Sequence, residues 1–458
     1  MTSLPYDQKS GQAPGQTPAL RRYNTAWRLM RPFLPLMVWR RGRTGKDDPQ
    51  RRGERFARYQ HRPDLPQQPI WLHAVSVGES MAALAVVRAL HDAGIKDPFL
   101  ITTNTKTAAA QVAAAAQQPD SPPIHHLYQP LDHPAIVDRF LEALDPRAAI
   151  FLVSDFWPNL ITRSLQRGLP VIFASAQMSE RAFAGWQRRG ALAADVFSAP
   201  HAVLAVDAVQ ADRFATLGTA RDRIAIGGSL KLPNTNAPLD TAFIADIHKA
   251  AAGRHILLAA STHAGEERIV IDAASQLGDG WFTLLAPRHP ERGADIGAMA
   301  AAAGMTHLRR SSGAGPDADH SVYIVDTLGE MASLFAATDV VFLGGALVPL
   351  GGHNPIEPAA AGLPVISGPH VFRNQAEFDA LAERGLLQIV TDAEELARTA
   401  TAQAGAAGKD RVARKDRVAG KDRGTAKAAR KFAAEAGKRP ELAARSILEV
   451  IAKIAKDR

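Results

Sequence analysis

The sequence predicts an α/β protein made of two doubly wound domains. Three observations carry that reading. Short apolar runs of strand character alternate with alanine-rich helical stretches over most of the chain. The alternation comes as two series with a turn-rich stretch between them. At 458 residues the chain also exceeds one ordinary domain, so two domains plus tails is the natural division.

The N-terminal segment 1–62 stands apart by composition. A polar tail rich in Gln, Pro and Gly leads into a basic amphipathic stretch from Leu20 to Arg62, in which Tyr23, Trp27, Phe33 and Trp39 sit among arginines. The tail carries no secretory signal. The segment holds 14 Lys/Arg against 4 Asp/Glu, and the longest uncharged run of its amphipathic stretch is 32–39. A bilayer span needs about twenty apolar residues, so this stretch is expected to lie on a membrane rather than cross it. Each basic group near an anionic surface contributes on the order of 1 kcal/mol. The alternative is a helix packed on the domain with its arginines in solvent.

The first α/β series, 63–231, has strand candidates at 70–75, 99–102, 148–152, 171–174, 202–205 and 224–226. Leu232-Pro233-Asn234-Thr235-Asn236-Ala237-Pro238 has linker character, and 232–239 is taken as the boundary. The second series, 240–400, has candidates at 256–260, 283–286, 322–325, 340–343 and 365–366. Two such domains suggest a cleft, with ligands at the carboxyl ends of the strands. Residues 401–439 form a basic low-complexity insertion in which Lys-Asp-Arg recurs at Lys409, Lys415 and Lys421. That spacing matches no helical period and reads as solvated chain. Helical patterning returns at 440–458.

Charge is distributed unevenly. The net charge of +8 hides an acidic body, at −11 over 63–404, between basic ends. A nucleic-acid binder would place its basic groups on the folded body among aromatics; basic ends point to an anionic membrane face. There is no cysteine, so disulfides and thiolate metal sites are excluded, and a reducing compartment fits.

Candidate chemistry sits where strands end. In Gly344 to Glu357 an apolar run gives way to a glycine-rich turn with Gly351, Gly352, His353 and Asn354, then a helix start. Glycine lets backbone approach a ligand closely, and a helix's first N–H groups face negative charge. Asn354 as N-cap, Pro355 at the first helical position and Glu357 at the third also form a plain capping arrangement. At Ser76-Val77-Gly78-Glu79 the glutamate is a candidate general base; as a first-turn residue it could instead only complement the helix dipole. The hydroxyls of Ser261 and Thr262 are candidate ligand contacts, while Glu266 and Glu267 read as structural. Arg288 follows a strand and suits bidentate phosphate contact. Lys231 lies beside the hinge. His73, His263, His289 and His353 are spaced too irregularly for a ligand set, so no metal is expected.

Taken together, these residues resemble the 3-deoxy-D-manno-octulosonic acid (Kdo) transferase family. The resemblance rests on seven stretches in the family's order: His73 to Glu79; Trp157-Pro158-Asn159; Ser179-Glu180-Arg181; Ser261-Thr262-His263 with Gly265-Glu266-Glu267; Pro287 to Arg292; Asp326-Thr327 with Gly329-Glu330; and Gly351 to Asn354 with Glu357-Pro358. It implies a GT-B fold of two Rossmann-like domains facing a cleft. It also implies CMP-Kdo as donor, inverting transfer to a lipid A precursor hydroxyl, and peripheral anchorage at the cytoplasmic face of the inner membrane. No cofactor or metal is implied, and no nucleic acid.

Carried over by position, Glu79 is the base. Arg288, His289, Lys231 and the helix start at Asn354 hold the CMP phosphate, Glu357 meets the ribose, and Ser76, Asp155 and Arg181 lie on the acceptor side. The chain departs from the family pattern at Val153-Ser154-Asp155-Phe156, where two glutamates are usual. It departs again at Ser175-Ala176-Gln177-Met178, which lacks an arginine, and at Ser229, where asparagine is usual. These changes leave open a non-catalytic paralogue that binds CMP-sugar or lipid; the fold alone would also admit a UDP-sugar donor.

Overall fold

A computed structural model describes residues 17–60, 62, 64–152, 155–232, 237–406 and 424–456. The polar tail, the Val153-Ser154 departure, linker residues 233–236 and the Lys-Asp-Arg repeat lie outside the described residues. The chain divides into two units. The first runs to Leu232 and regains the chain at Lys438; the second runs from Pro233 to Gly437.

The first unit begins with a helical hairpin. Helix α1 (Pro18–Met30) is capped by the Thr17 hydroxyl, which accepts from the Leu20 N–H, and Pro18 occupies the first turn, where no N–H is needed. A 3₁₀ turn at Arg31–Phe33 leads into α2 (Leu34–Arg43). Leu20, Leu34 and Val38 are buried against the domain, while Leu29, Met30, Phe33, Leu36 and Trp39 are exposed. The hairpin therefore packs through one face and presents an apolar rim on the other. No helix among the described residues is long and apolar enough to cross a membrane.

The sheet of this unit contains β1 (Ile70–Ala74), β2 (Phe99–Thr103), β3 (Ile124–Tyr128), β4 (Ala148–Leu152), β5 (Val171–Ala176), β6 (Ala202–Ala205) and β7 (Ile224–Ile226). Their order is β3-β2-β1-β4-β5-β6-β7, and every pairing is parallel. A parallel sheet is covered on both faces, so side chains that alternate along a strand enter two different cores. Trp71 packs with Phe140, Phe151 and Phe173 in one, whereas its neighbours Ile70 and Leu72 join Val86, Val87 and Leu90 in the other. That second core also contains Ala443, Ala444 and Ile447, from the C-terminal helix Arg439–Lys456.

The second unit repeats the plan with β8 (His255–Thr262), β9 (Trp281–Pro287), β10 (His307–Arg309), β11 (Val322–Ile324), β12 (Val340–Leu343), β13 (Val365–Ser367) and β14 (Leu387–Ile389). The order is β10-β11-β9-β8-β12-β13-β14. One expectation is corrected here. Residues 424–437, placed in the basic low-complexity insertion, form a helix that buries Ala429, Phe432, Ala433 and Ala436; the basic residues among them hide an apolar stripe of helical period.

Candidate active site

In both units the candidate residues flank the point where strand order reverses, the place where open α/β sheets leave a crevice. In the first unit that point lies between β1 and β4. After β1, Ser76 caps helix α3 (Val77–Asp92), and its hydroxyl accepts from the Glu79 N–H while the Glu79 carboxylate reaches back, completing a capping box. Glu79 Oε2 accepts from the N–H groups of Val75 (2.9 Å) and Ser76 (3.2 Å). Its other oxygen, Oε1, lies 3.0 Å from Lys231 Nζ. Burial pushes this carboxyl upward, but the Lys231 ammonium and the two N–H groups outweigh it and hold the group below its ordinary range.

Lys231 reaches Glu79 because its segment is fixed locally. The Leu230 N–H donates to the Ser175 hydroxyl (3.0 Å), and the Lys231 N–H donates to the Ser229 hydroxyl (3.2 Å). Two of the departures from the family pattern, Ser175 and Ser229, thus hold the lysine. After β4 comes Asp155, whose carboxyl is pushed up by burial and secondarily by the charge of Glu79. The following Trp157-Pro158-Asn159 run is anchored by buried Asp132, which accepts from the N–H groups of Asn159 (3.0 Å) and Leu160 (2.8 Å) and from the Tyr23 hydroxyl of α1 (2.8 Å). Arg181 lies exposed in the first turn of the helix Glu180–Gln187.

In the second unit the reversal lies between β8 and β12. His263 follows β8 and meets His353 from the loop after β12, Nε2 to Nε2 at 3.0 Å with the rings stacked at 6°. Burial, then His263 and Arg288, push His353 down to about 4; burial likewise lowers His263. Both rings are therefore neutral at pH 7, and one donates its Nε2 proton to the other. His289 stands edge-on to His263, with ring centres 5.5 Å apart. Arg288 is exposed beside them, its backbone N–H tied to the Thr262 carbonyl (2.9 Å). Among the described residues no group of three or more His, Cys, Asp or Glu side chains is arranged to hold a metal ion.

The structure revises several expected contacts in this unit. Thr262 is fully buried and its hydroxyl has no hydrogen-bond partner among the described residues; Ser261, in left-handed backbone (φ 55°), is the partly exposed one. Gly351 and Gly352 are buried with φ of 98° and 73°, and the Gly352 N–H donates to the Gly345 carbonyl (2.8 Å). These glycines supply the positive φ that the loop's path requires. Asn354 is not the N-cap. Its Oδ1 accepts from the Ile356 N–H (3.0 Å), so the short helix Ile356–Ala360 starts one residue later, with Pro355 as its cap and Glu357 at its second position.

Glu357 instead lines a 560 Å³ cavity with Leu239, Met331, Phe335 and Ala360, and burial raises its carboxyl. Glu266 and Glu267 are structural. The first accepts from the N–H groups of His263, Gly345, Ala346 and Leu347 at 2.7–2.9 Å, and the second forms a two-pronged ion pair with Arg292.

Comparison with known proteins decides the family. The sequence family described as 3-deoxy-D-manno-octulosonic-acid transferase (kdotransferase) matches residues 50–234. A 3-deoxy-D-manno-octulosonic acid transferase of Haemophilus influenzae is 34% identical over 358 residues, 77% of this chain and 83% of the relative. The transferase of Bordetella pertussis is 34% identical over 382 residues, 80% and 87% respectively. The chain belongs to the Kdo transferase family.

A glycosyltransferase from Rickettsia africae shares the transferase's fold at TM-score 0.55 and 13% identity, covering 85% of this chain and all of that one. The UDP-GlcNAc 2-epimerase of Neisseria meningitidis does so at 0.55 and 10% identity, with 84% and 100% covered. The fold is GT-B. Sequence reasoning missed the surroundings of Asp155 in the transferase: Tyr23, Trp186, Arg188 and Arg189. The only signal available was an arginine pair following a tryptophan.

Proposed function

We propose that the chain transfers Kdo from CMP-Kdo, with inversion, to a hydroxyl of a lipid A precursor at the cytoplasmic face of the inner membrane. The observation that carries this reading is Glu79: a buried, ionised carboxylate at a strand-order reversal, in a chain of this family. In the reaction Glu79 Oε1 accepts the acceptor hydroxyl's proton as that oxygen attacks the anomeric carbon. The bond to the CMP phosphate breaks, and CMP departs with the electron pair. Stabilising its growing negative charge with fixed cations and donors is the main catalytic demand.

Arg288 is placed to meet that charge with its fork of N–H groups, beside His289 and the His263–His353 pair. An arriving phosphate favours protonation of these imidazoles, which adds to its own neutralisation. Glu357 and the apolar cavity around it suit the nucleoside, with the carboxyl at the ribose hydroxyls. No cofactor or metal enters this scheme. The α1–α2 hairpin, with its apolar rim and flanking arginines, supplies attachment to anionic lipid.

The test is transfer by the purified protein from CMP-Kdo generated in situ to a tetraacyl lipid A precursor, in the presence of EDTA, followed by mass spectrometry. Product carrying one or more added Kdo masses is expected. A rate recovered only by adding a divalent cation would move phosphate neutralisation to a metal. No product with either addition, while CMP still binds, would reject the proposed acceptor.

A further inference from the structure

We propose that Arg439, at the start of the C-terminal helix, is a positioning residue for the Lys231–Glu79 pair. The proposal rests on the transferase reading above, in which Glu79 is the base. None of the stretches that carry the family resemblance includes this arginine. It belongs to the first unit, as do the residues it touches here. Arg439 Nη1 donates to the Ser229 carbonyl (3.2 Å), two residues before the lysine. Its guanidinium rests on Gly228, where a Cβ would come within 2.6 Å of Nε and 3.0 Å of Cζ. Gly228 also has φ 75°, so glycine supplies both the turn and the room for the arginine.

The helix that carries Arg439 braces both members of the pair. It packs against α3, in whose first turn Glu79 stands. Its Ala443, Ala444 and Ile447 share a core with Leu230, the residue before Lys231. Apolar burial holds Leu230 in place but is not directional. The planar fork of a guanidinium is directional, and here it is spent on the backbone just ahead of the lysine. An arginine in a helix's first turn opposes the macrodipole, so the helix itself does not call for one at this position.

The lysine needs such a tether. Its stem is long and rich in rotamers, so holding Nζ 3.0 Å from Glu79 Oε1 takes a backbone origin that does not drift. The hydroxyls of Ser175 and Ser229 fix two N–H groups of the segment, and the arginine fixes the Ser229 carbonyl between them. Burial raises the Glu79 carboxyl and Lys231 is the leading charge that lowers it; Arg439 is not among the main causes of that shift. The arginine therefore acts through where the lysine stands, not through its own field.

The test is the pH profile of kcat for the full-length chain carrying Arg439→Met, Lys231→Met or both, with CMP-Kdo and the tetraacyl lipid A precursor in neutral detergent. Methionine keeps an unbranched stem on Gly228 and removes the fork. Arg439→Met should move the acid limb up by about one unit, within the 1–3 units that a nearby opposite charge is worth, while donor and acceptor KM change little. In the Lys231→Met background the same substitution should add nothing, because it acts through the lysine. Ile447→Ala weakens the same helix from its core; it should lower the melting temperature without moving the limb.

A limb that stays in place in Arg439→Met, whatever happens to the melting temperature, overturns the proposal. So do additive shifts in the double variant, since the arginine then reaches Glu79 by another route. An equal shift in Ile447→Ala also overturns it, by assigning the effect to the helix as a whole. Should Arg439→Met not fold, Arg439→Lys takes its place with the same expected direction, because it keeps the charge but lacks the fork. Should the unaltered chain transfer no Kdo, the transferase reading fails, and acylation of Lys231 by acetic anhydride decides the positioning separately. Read by mass spectrometry, that rate should rise about threefold in both Arg439→Met and Glu79→Gln, on the scale of a part-exposed ion pair. An unchanged rate in Arg439→Met overturns the proposal on its own.

Discussion

At the scale of single residues, the pairing of Glu79 with Lys231 sets the protonation of the proposed base. One carboxylate oxygen is committed to backbone N–H groups of Val75 and Ser76, and the other faces the ammonium at 3.0 Å. The group is therefore ionised at neutral pH but is a weak base until the lysine yields its place. Replacing Glu79 by Gln keeps the cap's shape and removes the base. Turnover should fall by about 10²- to 10⁴-fold, with CMP affinity unchanged by calorimetry; a variant retaining most of its turnover would remove Glu79 from that role.

Lys231→Met should act differently. Without the ammonium, burial dominates and the Glu79 carboxyl rises, so the acid limb of the kcat–pH profile moves to higher pH. The sign for stability follows the same shift. The depressed carboxyl stabilises the fold above its unfolded pKa and loses that contribution as pH falls, and the variant forfeits it. Coincident pH profiles would mean that Lys231 does not set the base. The place of Glu79 in a helix's first turn after a strand was legible, and the structure adds its capping box with Ser76. The lysine's reach was not, since it depends on the hydroxyl of Ser175, far away in sequence.

At the scale of elements, most of the strands that sequence patterning located are covered on both faces, such as β1, β4 and β12, with the edge strand β7 the exception. The three it missed, β3, β10 and β14, all lie at sheet edges. An edge strand is half solvated and need not be apolar: β3 reads Ile-His-His-Leu-Tyr and β10 only His-Leu-Arg. The N-terminal hairpin packs on the domain through one face and leaves an apolar rim exposed on the other. Its exposed rim gives a specific expectation. Fully burying one large apolar side chain contributes roughly 1.5–3 kcal/mol, so Leu29→Asp with Phe33→Asp should lower partition onto phosphatidylglycerol vesicles at least about tenfold in sedimentation. Transfer to a detergent-dispersed acceptor should persist. Unchanged partition would shift lipid attachment to the basic C-terminal segment.

At the scale of the whole molecule, the chain leaves its first unit at Leu232, builds the second, and returns at Lys438. The returning helix is part of the first unit's core: Ile447 is fully buried there, in the cluster with Val86, Val87 and Leu90. The helical pattern at 440–458 was visible in the sequence, but which unit it would cover was not, because an amphipathic stripe does not name its partner. The consequence is that the first unit's core is incomplete without the helix Arg439–Lys456. Ile447→Ala removes buried methyl and methylene groups and should cost about 2–5 kcal/mol. That loss should fall on one unit. CMP, which the proposed function assigns to the second unit, stabilises only what binds it, so calorimetry with and without CMP distinguishes the two transitions. The substitution should lower the CMP-insensitive transition and spare the other. An equal fall in both would show that the two units unfold together, and that the helix at the end of the chain stabilises the whole molecule.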